Sequence, residues 1–246
     1  MFALLAICET LSRSGVVVQN QVPAVTVILQ RGAELIASGV LPLAFAHTLK
    51  RIGQGYLYAA AAGVGFGILM GSILRVYHLL DTVVELLRPL PTAAIIPVVM
   101  LLLGLGDQMK IFIIAWASFF PILLSTMHGV RSMSATLIDT ARTFRFGRAR
   151  TLWLFVLPAA SPHIATGLRL SLSLALILGV TTELVAGENG IGFFVLNAQR
   201  SFRATDMYAG VVALGILGYF LNWAFVMLEG RILAWHRGLT IREIFP

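Results

Sequence analysis

Two ionisable residues stand out against the longest apolar stretch of the chain: Arg169 lies within Thr151 to Thr182, and Glu183 closes it. Charged groups in such a setting are costly and are kept where they face a solute path, an ion relay or a partner charge. Glu183 suits a path or gate residue; it also suits an acid at a water interface that pairs with Arg169 or caps the next turn. Fourteen residues separate the two, about 21 Å along one helix, so any partner must come from another segment. Arg169 suits a cation that snorkels to the membrane edge or receives an anion. Pro89, Pro91 and Pro97 would break a helix and free backbone groups, an arrangement tolerated where those groups line a cavity. Pro91, Pro97, Arg169 and Glu183 therefore form the expected translocation path.

Other chemistries find no support. No nucleophile has an adjacent base, so no catalytic set is expected. The five histidines (His47, His78, His128, His163, His236) have no ligand spacing, and no metal site is expected. Cys8 is the only cysteine, which excludes an internal disulfide. A phosphate loop of the G-x-x-x-x-G-K-[ST] form is missing from the sequence, so ATP hydrolysis is not expected of this chain.

The elements that must position these residues follow from composition. Of 246 residues, 58% are hydrophobic and 12% charged, against about 45–50% and about 25% in soluble domains. Lipid must solvate much of this surface. The net charge of +7 fits basic loops facing anionic lipid; no basic groove with interleaved aromatics suggests nucleic acid. Charge-free runs predict an all-α, polytopic membrane helical bundle with five spans: 56–74, 89–106, 111–130, about 163–183, and 207–228. Pro158 and Pro162 set the start of the fourth at His163. Gly63, Gly67 and Gly71 lie four apart, on one face where another helix can approach. Residues 24–40 read as an interfacial amphipathic helix, and Met1 to Cys8 as a short or truncated sixth span. One domain is expected over 1–246, with an N-terminal segment (1–55), core spans (56–232) and a cytoplasmic tail (233–246). Trp116, Trp223 and Trp235 read as packing or interface anchors.

The connection 129–159 is large and carries Arg131, Arg142, Arg145, Arg148 and Arg150 against the single acid Asp139. By the positive-inside rule it faces the cytoplasm. Ser134 can start a helix through Leu137, Ile138, Ala141 and Phe144, an apolar stripe at three- and four-residue steps. Gly147 can end it. Such a helix on a loop can dock into a groove of a soluble partner.

Asp139-Thr140-Ala141 followed by Leu157-Pro158 resembles the "EAA" loop of binding-protein-dependent ABC importer permeases, E-A-A-x(3)-G-x(9)-I-x-L-P, without gaps. Four positions depart: Asp139 for Glu, Thr140 for Ala, Arg145 for Gly and Phe155 for Ile, with Gly147 two residues beyond the usual glycine. Further segments resemble the nitrate, sulfonate, taurine and bicarbonate branch: Leu87-Arg-Pro-Leu-Pro-Thr-Ala-Ala-Ile-Ile-Pro97, Leu103-Gly-Leu-Gly-Asp107, Gly167-Leu-Arg169, Glu183-Leu-Val-Ala-Gly187 and Gly190-Ile-Gly192. The resemblance implies a multi-pass permease of the bacterial cytoplasmic (inner) membrane, paired with a second copy. It implies two cytoplasmic ATP-binding cassette ATPases, which would bind ATP and Mg, and an extracytoplasmic solute-binding protein. It makes Asp139, Thr140, Ala141, Arg142, Thr143, Phe144, Arg145, Phe146, Gly147, Leu157 and Pro158 the ATPase-coupling residues. An ion-coupled secondary transporter would instead show a midspan carboxylate and an inverted repeat.

Overall fold

The structure, a computed structural model, describes Glu9 and residues 23–232; the expected N-terminal span (Met1 to Cys8) and the tail 233–246 lie outside the described residues. Every regular element among the described residues is helical: α1 (Val25–Ala37), α2 (Val40–Ser72), α3 (Leu74–Leu87), α4 (Thr92–Leu103), α5 (Asp107–Arg131), α6 (Ala135–Thr143), α7 (Arg148–Thr151), a π-helical turn (Leu152–Val156), α8 (Leu157–Ala186), α9 (Ile191–Arg200) and α10 (Ala204–Ile232).

Among the described residues four helices are long and apolar enough to cross a membrane: α2, α5, α10, and α8 with its lead-in from Ala149. The expected span over 89–106 is broken, as its prolines suggest, and it includes α3 as well as α4. α3 and α4 meet at a bend of 97°, and the pair is long and apolar enough to form a fifth, broken crossing or a re-entrant loop. Pro91 supplies the extended backbone before α4 (φ −66°, ψ 115°), the conformation its ring favours. Pro97 lies inside α4.

α2 begins sixteen residues before Tyr56, where the charge-free run begins. At 33 residues it is roughly 50 Å long, against a hydrocarbon core of about 30 Å. α5 is the centre of the bundle and packs on both α2 and α8. The α2–α5 seam is built on the expected small-residue face. A Cβ added at Gly63 would stand 2.9 Å from Ile122 Cβ, at Gly67 2.6 Å from Thr126 Cβ, and at Gly71 2.6 Å from Val130 Cβ. In lipid, where helices gain little hydrophobic drive from meeting, this backbone proximity supplies the packing.

α8 corrects the expectation of a start at His163, because the helix runs through both prolines. Before Pro158 the chain widens into the π turn, and the Leu157 N–H donates to Leu152 O, five residues back. Pro162 has no N–H for the Pro158 carbonyl; the Ser161 hydroxyl donates to it instead, at 2.8 Å. A side-chain donor of this kind lets proline stay inside a membrane helix.

α1 is amphipathic, as expected, and buries Ile28 and Leu35 with Leu41, Ala209 and Ala213. Arg31 ties it to the start of α10 through Asp206 Oδ1 at 2.6 Å. These contacts, with α9, lie at the end of the bundle away from α6.

Candidate functional site

The two ends of the bundle carry different chemistry. At one end α6 follows α5 after a short turn and leads back through α7 and the π turn to α8. The helix stops by a specific device. Phe144 N–H donates to Thr140 O, Phe146 N–H donates to Ala141 O at 3.1 Å, and Arg145 between them has φ 51°. A six-to-one bond closed over a left-handed residue is a Schellman ending, and glycine is the usual occupant of that left-handed place. Arg145 therefore stands at the position where the EAA pattern has its glycine, with the backbone that glycine would supply. Gly147 does not take over that role. It is not among the glycines with positive φ, and its carbonyl accepts the Thr151 N–H at 3.0 Å, which opens α7.

The turn is held by aromatic contacts. Phe146 stacks on Phe144 at 5.9 Å and meets Phe155 at 5.7 Å, with the Arg150 guanidinium 5.3 Å from the Phe146 ring. Phe155, at the pattern's isoleucine position, thus anchors the turn. The expected apolar stripe splits in two. Ala141 is buried, while Leu137 and Phe144 are exposed, Phe144 by 67%. Asp139, Thr143, Arg145 and Gly147 are exposed and Thr140 is half-buried. Arg142 falls within α6, and Leu157 and Pro158 begin α8. The loop joins the bundle at Arg131, whose guanidinium lies 3.6 Å from the Tyr77 ring of α3.

At the opposite end, Glu183 is 1% exposed and Arg51 is 2% exposed. Arg51 Nη1 donates to Glu183 Oε1 at 2.8 Å and to Asn189 O at 3.0 Å. Its Nε donates to Asp107 Oδ1 at 2.7 Å, and Nη2 contacts Asn189 Oδ1. Thr48 Oγ1 lies 2.9 Å from each Glu183 oxygen and accepts the Ile191 N–H at 3.0 Å. Gly192 N–H donates to Glu183 Oε2 at 2.9 Å. The carboxylate therefore rests at the positive start of α9 and is fully engaged. Gly190 (φ 103°) has to be glycine, since a Cβ there would sit 2.2 Å from Glu183 Oε1. The Glu183…Gly187…Gly190-Ile-Gly192 segment is thus a fitted box that joins α2, α5, α8 and α9.

Both partners come from other segments, as the spacing requires: Glu183 pairs with Arg51, and Arg169 faces Glu229 of α10 at 3.9 Å. Glu229 was not anticipated because the last charge-free run stops at Leu228, whereas α10 continues to Ile232. Arg51 stands before the charge-free run that starts at Tyr56, and no sequence periodicity marks it as buried.

Between the ends lies a cleft of about 490 Å³ walled by α4, α5 and α8 with the α3–α4 bend. Arg88, Thr92, Trp116, Pro121, Ser125 and His128 are in its wall. The four expected path residues are outside that wall. Pro91 stands between the lining residues Leu90 and Thr92, Arg169 is next to the lining Leu170, and Pro97 and Glu183 contribute nothing to it. Trp116 lines the cleft while stacking on Phe112 at 6.1 Å.

Comparison with known proteins accords with these features. A family model described as "Binding-protein-dependent transport system inner membrane component" matches residues 63–234. The Bacillus subtilis protein SsuC, named as an aliphatic sulfonates transport permease, is 32% identical over 94% of this chain and 84% of its own. The taurine transport system permease protein TauC of Escherichia coli is 36% identical over 78% and 70%. The nitrate import permease protein NrtB of Leptolyngbya laminosa is 30% identical over 76% and 67%. An inward-facing structure of the MetNI methionine ABC transporter shares the fold, with a TM-score of 0.66 at 18% identity over 76% of this chain and 93% of that one. With its helical spans and its Schellman-closed loop, the chain belongs to the family of binding-protein-dependent transport system inner membrane components, the permease subunits of ABC transporters, and is a multi-pass protein of the inner membrane.

Proposed function

We propose that this chain imports a small oxyanion, of the sulfonate, taurine or nitrate kind named for its relatives. It would do so as one of two copies driven by two separate ATPase subunits that bind ATP and Mg. The observation that carries this reading is the α6 turn, where exposed Leu137 and Phe144 stand out from a loop clamped by Phe146, Phe155 and Arg150. A short rigid helix with exposed apolar side chains suits a groove on a soluble partner, and on this reading the loop faces the cytoplasm. Closure of the ATPase pair would draw the two α6 turns together, and the loop's root at Arg131 would carry that motion to α3 and α5. At the other end, the box around Glu183 holds α2, α5, α8 and α9 as one body, beneath a face open to a solute-binding protein.

The test is uptake by proteoliposomes containing this chain, supplied with a candidate ABC ATPase and a candidate solute-binding protein. Import should require ATP inside the vesicle and binding protein outside. Import driven by a proton or sodium gradient without ATP would establish the secondary-transporter alternative instead.

A further inference from the structure

The wall of the cleft has a composition that the coupling loop and the Glu183 box leave unused. Among its lining residues the polar ones are Arg88, His128, Thr92, Ser125 and Trp116, and no carboxylate is present. Arg88 caps α3 at the 97° bend and enters no ion pair among the described residues. The ion pairs formed by other arginines lie outside the cleft: Arg51 with Glu183 and Asp107, Arg31 with Glu34 and Asp206, Arg203 with Asp206, and Arg169 with Glu229. A guanidinium on a concave wall that carries no carboxylate raises the local concentration of anions, because no opposite charge on the wall offsets its field. Its planar fork also matches the oxygens of a sulfonate or nitrate. Thr92, Ser125 and His128 add hydroxyl and imidazole groups able to donate hydrogen bonds on the same wall.

We propose that this cleft is selective for anions and that Arg88 is the residue that sets the sign. The link to transported solute rests on the import reading above; the charge selectivity of the wall does not. Trp116 provides a reporter inside the cleft. The test uses the full chain in nanodiscs with Trp153, Trp223 and Trp235 replaced by phenylalanine, and measures quenching of Trp116 by iodide, caesium and neutral acrylamide at low salt. The ratio of iodide to acrylamide quenching cancels changes in access. Arg88→Gln should lower that ratio about fivefold, the scale expected for removing one unit charge about 4 Å away in water. Arg88→Lys should retain it, and 0.5 M neutral salt should reduce it in the parent. An unchanged ratio in Arg88→Gln, or caesium quenching as well as iodide in the parent, would overturn the proposal. Because no ATPase or binding protein is needed, its failure is separate from a failure of ATP-driven uptake.

Discussion

Replacing Arg145 by glycine should make the α6 turn more stable. An L-residue held in the left-handed region loses about 1–2 kcal/mol to the clash of its Cβ. Glycine relieves that clash but has more freedom to lose on ordering, which takes back about 0.5–1 kcal/mol. The net gain is about 0.5–1 kcal/mol, roughly a two- to fivefold shift in the equilibrium for local opening, since 1.4 kcal/mol is tenfold. The bond that reports it is Phe146 N–H to Ala141 O, which closes over Arg145. Hydrogen exchange followed by mass spectrometry, on peptides that isolate the Phe146 amide, should show slower exchange by that factor in Arg145→Gly. Arg145→Val puts a β-branched side chain at φ 51° and should speed exchange about tenfold, in line with the larger strain of such residues there. Faster or equal exchange in the glycine variant, together with an unaffected valine variant, would refute the assignment of Arg145 as the left-handed cap.

Two further outcomes follow from the packing. Glu183→Gln leaves Arg51 buried with only the half-exposed Asp107 as a charge partner; breaking a buried pair this way costs about 3–5 kcal/mol, so thermal unfolding in nanodiscs should move well down. Arg51→Met combined with Glu183→Leu should cost less than Glu183→Gln alone, and a single variant as stable as the parent would argue against the box. Gly67→Ala would place a Cβ 2.6 Å from Thr126 Cβ and 2.8 Å from Leu123 O, an overpacking worth about 1–3 kcal/mol. Gly65→Ala, with nothing within 4 Å, is its control and should be neutral or stabilising; equal effects would contradict the α2–α5 seam.

The crossings were legible where charge is absent for a full bilayer thickness, as in α5 and α10, and so was the glycine face of α2, because spacing by four is a property of the helix itself. Three features escaped for physical reasons. α2 runs past Lys50 and Arg51 because a charge reads as a span boundary in sequence, whereas Arg51 is buried against acids from distant segments. α8 runs through Pro158 and Pro162 because the chain widens into a π turn before Pro158 and the Ser161 hydroxyl satisfies the Pro158 carbonyl, and neither device has a sequence period. The bend of α3 against α4 was hinted at by Pro89 and Pro91, but its angle depends on how Val84 packs with Met70, Phe120 and Leu123. The match of the 129–159 loop to the EAA pattern was readable from Asp139 to Pro158. Which of its side chains face outward was not, since Ala141 and Phe144 share one helical stripe and part only through the turn at Arg145.

The central claim is that the α6 turn is the surface gripped by the ATPase. Cysteine cross-linking tests it directly, in a chain with Cys8→Ser and single replacements Phe144→Cys or Phe202→Cys, assembled with its ATPase. Phe144 is 67% exposed on the α6 turn, and Phe202 is 95% exposed at the α9–α10 corner of the opposite end. The account predicts a cross-link to the ATPase from position 144 that tightens with nucleotide, and none from position 202. A cross-link from 202 with none from 144 would contradict it.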